Sequence, residues 1–241
     1  MSKTTYFKNL DGLRFFCFLS VFFFHSFHTN HDYIKQDELY KFITEILFKN
    51  GNIGVNVFFV LSGFLITYLL INEKKNNGRI NVKNFWIRRI LRIWPLFYFC
   101  VFFGFIIFPC IKELFGQNSQ ESANLIWYMT FINNLDFIRN GSPDCSVLGV
   151  LWSVAIEEQF YLIWPLILSF FKIKKYWIPF LIIMSASIIF RCLNNDYISL
   201  EYHTLSCIGD MTIGATGAWL IINFTKFKKF ITNLSKFKII S

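Results

Sequence analysis

The chain has 241 residues, of which 54% are hydrophobic, 20% aromatic and only 16% charged, and its formal net charge is +9. A soluble domain carries about a quarter charged residues, so this composition excludes an ordinary soluble domain and requires lipid to cover the apolar surplus. The basic residues lie between apolar stretches rather than along one soluble face, which argues against nucleic-acid binding and favours a role in membrane orientation.

Six apolar stretches come close to the roughly 20 residues that a membrane-spanning helix needs. In chain order they cover residues 10–28, 53–72, 93–111, 148–171, 176–193 and 203–224. A further stretch, 125–138, is too short to span comfortably and is predicted to lie at the interface or to re-enter the membrane. The sequence therefore predicts an all-α protein, a polytopic transmembrane helix bundle of about six spans.

The first apolar stretch is predicted to remain as a transmembrane helix. Asp11 and Arg14 open it, and no small-residue cleavage site follows, so it does not read as a signal peptide. Basic residues then indicate the orientation, because basic loops favour the cytoplasmic side. The predicted cytoplasmic groups are the N-terminus, the basic residues of 74–92, the lysines of 172–175 and the tail after 225, with 112–147 mainly outside.

Few ionisable side chains lie within the spans, and such residues are functional candidates because burying charge in lipid is costly. Arg14 and His25 are eleven residues apart, which places them on one face of the first helix and about 16 Å apart along its axis. The alternative is an interface arginine and a hydrogen-bonded core histidine. His28 and His31 follow at intervals of three, but no carboxylate or cysteine shares that spacing, so no metal site is predicted.

Two carboxylates lie in the stretch LWSVAIEEQFYLIWP. On a helix Glu157 shares a polar and aromatic stripe with Ser153, Tyr161 and Trp164. That stripe is predicted to face protein, whereas Glu158 projects about 100° away, towards a neighbouring helix or a backbone group. The alternative is a helix start that carries Ser and acidic residues near its positive dipole end.

Three arginines, Arg88, Arg89 and Arg92, cluster on one helical face at the cytoplasmic entry of the third span. One hypothesis is a phosphate clamp, because guanidinium groups bind phosphate oxygens in bidentate fashion. The alternative is a basic membrane anchor with interfacial tryptophans.

Four sequence blocks, in their order along the chain, resemble the membrane-bound acyltransferase-3 family. They are LDGLRFFCFLSVFFFH at 10–25, GVNVFFVLSGFLIT at 54–67, FWIRRILRIWPLFYF at 85–99 and LWSVAIEEQFYLIWP at 151–165. The resemblance implies a membrane enzyme that O-acylates a glycan, with acyl-CoA, most often acetyl-CoA, as cytoplasmic co-substrate and no metal. It further implies a glycan or lipid-linked saccharide acceptor outside the bacterial inner membrane.

The resemblance also assigns roles to residues. The implied catalytic residues are His25, Glu157 and Arg14, and the implied donor-binding residues are Arg88, Arg89 and Arg92. Substrate-binding or orienting roles are expected for Trp152, Ser153, Glu158 and Tyr161. Because family members have more spans, residues 1–241 are expected to be the N-terminal part of an acyltransferase-3 domain. The alternative functions are a small transporter or proton-relay subunit and an inactive truncated remnant.

Overall fold

The computed structural model describes residues 8–26, 31–47 and 49–237, and this part of the chain contains helices and no strands. The all-α prediction is therefore confirmed. The α-helices are α1 (Lys8–Ser26), α2 (Asp32–Lys35), α3 (Glu38–Lys41), α4 (Ile53–Asn77), α5 (Val82–Phe102), α6 (Phe108–Leu114), α7 (Leu125–Met129), α8 (Asn133–Asn140), α9 (Ser146–Gly149), α10 (Leu151–Phe170), α11 (Trp177–Leu193), α12 (Tyr197–Tyr202), α13 (Thr204–Asn223) and α14 (Thr225–Phe237). Residues Phe42–Leu47 and Phe103–Ile107 are π-helical, and Ile173–Lys175 form a 3-10 turn.

Five of the described helical stretches are long and apolar enough to cross a membrane. They are Ile53–Asn77, Val82–Leu114, Ser146–Phe170, Ile173–Leu193 and Tyr197–Asn223. Each contains one of the predicted spans or most of it. The first predicted span, 10–28, corresponds to α1 up to Ser26, and residues 27 and 28 lie outside the described residues. Helix α1 is not among the five, because polar residues, among them Asp11, Arg14 and His25, lower the hydropathy of its 19 residues.

The helices α4 and α13 form the tightest pair in the bundle, because glycines let their backbones approach closely. A Cβ atom at Gly63 would overlap the backbone carbonyl oxygen of Met211, and one at Gly214 would overlap that of Val60. Small residues are the usual solution where two transmembrane helices must touch. The contact fixes the position of α4, which carries Ser62 immediately before Gly63, against α13.

Replacing Gly214 with Ala is expected to destabilise the folded protein in detergent by about 1–3 kcal/mol, because the added methyl group meets backbone that cannot rotate away. The loss would appear as a lower midpoint of unfolding in a denaturing-detergent titration followed by circular dichroism. Gly217→Ala, in the same helix, is the matched control, because its Cβ would meet only Phe64 at an ordinary 3.8 Å. Equal midpoints for the two variants would contradict the close-packing argument.

The loops predicted to be cytoplasmic lie together at one end of the bundle. Lys74 Nζ donates to the carbonyl oxygens of Leu168 and Phe171, at 2.7 Å each, so the ends of α4 and α10 meet. Trp219 Nε1 donates to the carbonyl oxygen of Ile173 at 2.7 Å, which brings the end of α13 to the same place. We call this the basic end of the bundle.

The starts of α4, α10 and α13 meet at the opposite end. Asn52 Nδ2 lies 3.4 Å from Glu201 Oε1, and the Trp152 ring centroid lies 4.7 Å from that of Tyr202. These three helices therefore run parallel, and the chain segments that precede them cluster away from the basic end.

The segment predicted to lie at the interface or to re-enter, 125–138, forms the two short helices α7 and α8. With five and eight residues they extend about 8 and 12 Å, too little to cross. The turn between them packs against α10, where Gln159 Nε2 donates to Phe131 O at 2.7 Å and to Asn134 Oδ1 at 2.9 Å. Gln159 lies about 12 Å along α10 from its first residue, so the turn between α7 and α8 packs against the middle of α10.

Candidate active site

Glu157 is the centre of a polar cluster on α10 that faces α4. Ser62 Oγ donates to Glu157 Oε1 at 2.6 Å, and the Tyr161 hydroxyl donates to Glu157 Oε2 at 3.1 Å. The second contact follows from helix geometry, since residues i and i+4 are neighbours on one face. The positive charges of Arg89 and Arg14 also lie close enough to act on this carboxylate.

The predicted polar and aromatic stripe on α10 does face protein. Tyr161 and Trp164 are buried, with exposed fractions of 4% and 1%, and Ser153 and Glu157 are partly buried. The hydroxyl of Ser153 donates to the carbonyl oxygen of Val150 at 3.3 Å, so its main interaction is with the backbone. Trp164 Nε1 donates to the hydroxyl of Thr67 on α4 at 2.8 Å.

A cavity of about 240 Å³ lies between α1, α4 and α10, next to Glu157. It is lined by Phe18, Val21, Val55, Phe58, Phe59, Ser153, Val154 and Glu157. We call it the α1 cavity. Its mainly apolar lining and the single carboxylate are typical of a site that holds an uncharged group beside one polar contact.

The face of α1 that lines this cavity also carries the two residues predicted to act together. Arg14, Phe18, Val21 and His25 follow at intervals of four, three and four, which is one helical face. Arg14 and His25 therefore flank the cavity lining, with His25 one turn beyond Val21 and about 6 Å further along the axis. The implied catalytic roles of Arg14, His25 and Glu157 stay predictions.

The environments of the two α1 residues differ. Arg14 is partly buried and lies 3.3 Å from the Asp11 carboxylate, so one acidic neighbour already compensates part of its charge. His25 is exposed and its ring packs edge-to-face on Phe24, with a centroid distance of 5.1 Å.

Glu158 points away from Glu157 towards α5, where Trp94 Nε1 donates to its Oε2 at 3.0 Å. The predicted contact with a neighbouring helix is thus present. Its other oxygen, Oε1, is buried and has no hydrogen-bond partner in the described part of the chain. A buried acceptor without a partner is costly and is typical of functional sites.

Trp152, predicted to bind or orient substrate, lies apart from the Glu157 cluster at the start of α10. Its ring meets that of Phe59 at 6.0 Å between centroids and that of Tyr202 at 4.7 Å, both edge-to-face. Phe59 lines the α1 cavity, so Trp152 stands immediately beside that cavity.

The three arginines of α5 line one cavity of about 320 Å³, which we call the arginine cavity. Its lining residues are Leu69, Leu70, Glu73, Phe85, Arg88, Arg89 and Arg92. Exposed Arg88 lies 3.9 Å from Glu73, while Arg92 is exposed at the rim. The predicted clustering on one helical face is therefore present.

Arg89 differs from the other two arginines because it turns into the bundle. Its guanidinium carbon lies 5.3 Å from the ring centroid of Tyr161 and 5.5 Å from that of Phe85, distances that suit cation–π contact. Tyr161 in turn donates to Glu157. A continuous chain of contacts therefore joins the arginine cavity to the Glu157 cluster.

Two polar partners of this site were not singled out from the sequence, Ser62 and Trp94. Ser62 is one of two hydroxyl residues in the apolar block GVNVFFVLSGFLIT, and a polar side chain inside a span is the signal that could have identified it. Trp94 lies on α5, six residues after Arg88, and was expected to lie at the membrane interface. Within the described residues, no group of three or more His, Cys, Asp or Glu side chains is placed to hold a metal ion.

Comparison with known proteins places these elements in a family. The acyltransferase-3 family model, described as an acyltransferase domain, matches residues 7–232. The peptidoglycan O-acetyltransferase OatA of Listeria monocytogenes is 35% identical over 182 residues, covering 71% of this chain and 26% of the relative. The O-acetyltransferase OatA of Staphylococcus aureus (strain NCTC 8325) is 31% identical over 235 residues, covering 91% of this chain and 36% of the relative.

The chain thus spans about a quarter to a third of the length of these relatives. No solved structure matches it at a significant level. Its four sequence blocks lie within the matched range, and they carry the Arg14–His25 face, the Ser62–Glu157–Tyr161 cluster and the arginine cavity. The chain is an integral membrane protein, and it belongs to the acyltransferase-3 family.

Proposed function

We propose that this chain is a membrane-embedded O-acyltransferase that moves an acetyl group from cytoplasmic acetyl-CoA to a hydroxyl group of a glycan outside the bacterial inner membrane. The order of sites along the bundle carries the proposal. The arginine cavity lies towards the basic end, the Glu157 cluster in the middle, and the α1 cavity leads from Glu157 towards His25. The relatives named as acting on peptidoglycan support a cell-wall glycan as the acceptor class.

The donor site we assign is the arginine cavity. CoA carries several phosphate groups, and Arg88, Arg89 and Arg92 present three guanidinium groups around one opening. Glu73 compensates only one of these charges, through Arg88, so the cavity retains a net positive charge. The apolar lining from Leu69, Leu70 and Phe85 suits the pantetheine arm.

In the proposed reaction His25 is the general base. Its neutral imidazole takes the proton of the sugar hydroxyl while the hydroxyl oxygen bonds to the carbonyl carbon of the thioester. The carbon–sulfur bond then breaks, and the imidazolium returns the proton to the departing CoA thiolate, so the products are the acylated glycan and CoA. Glu157 lines the α1 cavity and Arg14 flanks its lining on α1, and the negative charge of Glu157 favours the transient imidazolium.

The proposal is tested by the acetyl-CoA dependence of transfer to a soluble glycan, using membranes that contain the chain. Arg92→Lys retains the charge but loses the planar, bidentate donor fork. We expect the apparent donor constant to rise about tenfold to hundredfold, because one charge-assisted contact contributes about 1.5–3 kcal/mol. The measurement is the rate of transfer against donor concentration at matched membrane abundance.

The matched control is Lys83→Arg, which alters a basic residue of the same helix outside the arginine cavity and is expected to leave the donor constant unchanged. An unchanged apparent donor constant in Arg92→Lys, and in the variant with Lys at 88, 89 and 92, would indicate that the arginines serve only as a membrane anchor. Absence of any acetyl-CoA-dependent transfer would overturn the proposed function itself.

The orientation is tested by labelling single cysteines in intact cells. Because basic loops favour the cytoplasm, an impermeant maleimide is expected to label Gln120→Cys but not Lys174→Cys or Lys228→Cys. The background replaces the two exposed native cysteines, Cys110 and Cys192, with Ser. Detergent permeabilisation, which should expose all three positions, is the control. Outside labelling at position 174 would reverse the assignment of the basic end.

A further inference from the structure

A second cavity, of about 280 Å³, opens at the end of the bundle opposite the basic end. Its lining residues are Asn52, Val55, Asn56, Trp152, Arg191, Tyr197, Leu200 and Glu201. We call it the outer cavity. Val55 lines both this cavity and the α1 cavity, and the Trp152–Phe59 ring pair stands between them. The two cavities are therefore neighbours.

The outer cavity combines an aromatic wall with polar groups of both kinds. Trp152 is held there by edge-to-face contacts with two other rings. Asn52, Asn56 and Arg191 offer N–H donors, and the two amides and Glu201 offer oxygen acceptors. One amide hydrogen of Asn56 is used by Asp210 Oδ2 at 2.7 Å, one of Asn52 by Glu201 Oε1 at 3.4 Å, and two Arg191 nitrogens by Ser206 O. The amide oxygens and further guanidinium N–H groups remain for a ligand.

The charges around the outer cavity exclude an anionic ligand. Arg191 supplies one positive charge, and its Nη2 lies 3.8 Å from Asp210 Oδ2, which compensates it. Glu201 adds a negative charge on the lining itself. A phosphate or carboxylate would therefore meet no net attraction, in contrast to the arginine cavity, whereas a neutral ligand with several hydroxyl groups meets both donors and acceptors.

We propose that the outer cavity is a subsite for one neutral sugar ring of the acceptor glycan. The indole of Trp152 packs against the apolar face of the ring, and Asn52, Asn56, Arg191 and Glu201 bind its hydroxyl and amide groups. The volume lies at the small end of ligand sites, so one ring occupies it and the next ring along the glycan reaches the α1 cavity. This assignment rests on the proposed function, because it names the acceptor side of the same reaction.

The test uses the purified chain in lipid nanodiscs and the neutral trisaccharide of β-1,4-linked N-acetylglucosamine as the probe. We expect saturable binding by calorimetry and about tenfold weaker binding in Trp152→Ala, since the stacked indole is lost. Inorganic pyrophosphate should not compete. The matched control is Trp177→Ala, which removes an indole from an apolar cavity of about 310 Å³ formed by α11 and α13 and should leave binding unchanged.

Because Trp152 packs on two rings, a second variant guards against misfolding. Glu201→Gln keeps the size of the side chain and one oxygen acceptor but removes the negative charge. It should weaken binding severalfold while the helical circular dichroism signal stays the same. No binding by the unmodified chain, competition by pyrophosphate, or equal affinities for the unmodified chain, Trp152→Ala and Glu201→Gln would each overturn the subsite.

The two proposals fail in different ways. Sugar binding that depends on Trp152, without any transfer of acetyl groups, would support the subsite and contradict the proposed reaction. Acetyl transfer with an apparent acceptor constant that is unchanged in Trp152→Ala would support the proposed reaction and contradict the subsite.

Discussion

Replacing His25 with Ala is expected to reduce acetyl transfer by about 10²–10⁴-fold while the protein still inserts and accumulates in membranes. The magnitude is what a positioned general base typically contributes. The side chain is exposed at the end of α1, so its removal leaves no void in the core, and Ala is a good helix former. The expected loss is therefore one of chemistry and not of folding.

The measurement is the rate of transfer from radiolabelled acetyl-CoA to glycan at saturating donor, normalised to the amount of protein in the membrane. His31→Ala is the matched control, because it removes an exposed imidazole six residues further along the chain, beyond α1. We expect that control to retain the parental rate. Full activity in His25→Ala, or an equal loss in both variants, would remove the catalytic assignment.

The sequence predicted most of the spans because each depends on local properties, the length and hydropathy of one stretch. The stripe on α10 was also predictable, since the i and i+4 spacing of Glu157 and Tyr161 is a property of any helix. The grouping of the basic loops at one end of the bundle could be predicted from the positions of the lysines and arginines relative to the apolar runs. None of these predictions needed knowledge of which helices touch.

The pairings between helices could not be predicted in the same way. Ser62 and Glu157 are 95 residues apart, and nothing in either local sequence specifies that α4 and α10 pack together with these two residues at one level. The packing of 125–138 against α10 could not be predicted for the same reason. It depends on the contacts of Gln159 with Phe131 and Asn134, which close only in the folded bundle.

From the sequence, the three arginines of α5 had one shared predicted role, but their environments in the structure differ. Arg89 lies over the ring of Tyr161, whereas Arg88 is exposed and pairs with Glu73. Helical spacing alone places both near one face, but which of them turns inward depends on what α4 and α10 present to that face. Arg89 is therefore the arginine that connects the arginine cavity to the Glu157 cluster, through Tyr161.

Replacing Glu157 with Gln is expected to lower acetyl transfer by about a hundredfold, the second large effect that the structure predicts. Glu157 accepts hydrogen bonds from Ser62 and Tyr161, and bonds from hydroxyl groups to an ionised carboxylate are stronger than those to a neutral amide. The amide has one oxygen instead of two, so its NH₂ group must face one of these hydroxyls. The variant also removes the negative charge of Glu157 that acts on Arg14 and Arg89.

The effects of the charge and of the packing of this side chain can be measured separately with two variants at position 157. Glu157→Asp keeps the charge with a shorter reach and should recover part of the rate, whereas Glu157→Gln keeps the size without the charge. Glu113→Gln, which removes an exposed carboxylate far along the chain from the cluster, should leave the rate unchanged. The rate of transfer and the unfolding midpoint are measured for each variant. A Gln variant as active as its parent, or an Asp variant no better than Gln, would mean that the cluster holds α4 against α10 and that its charge takes no part in the reaction.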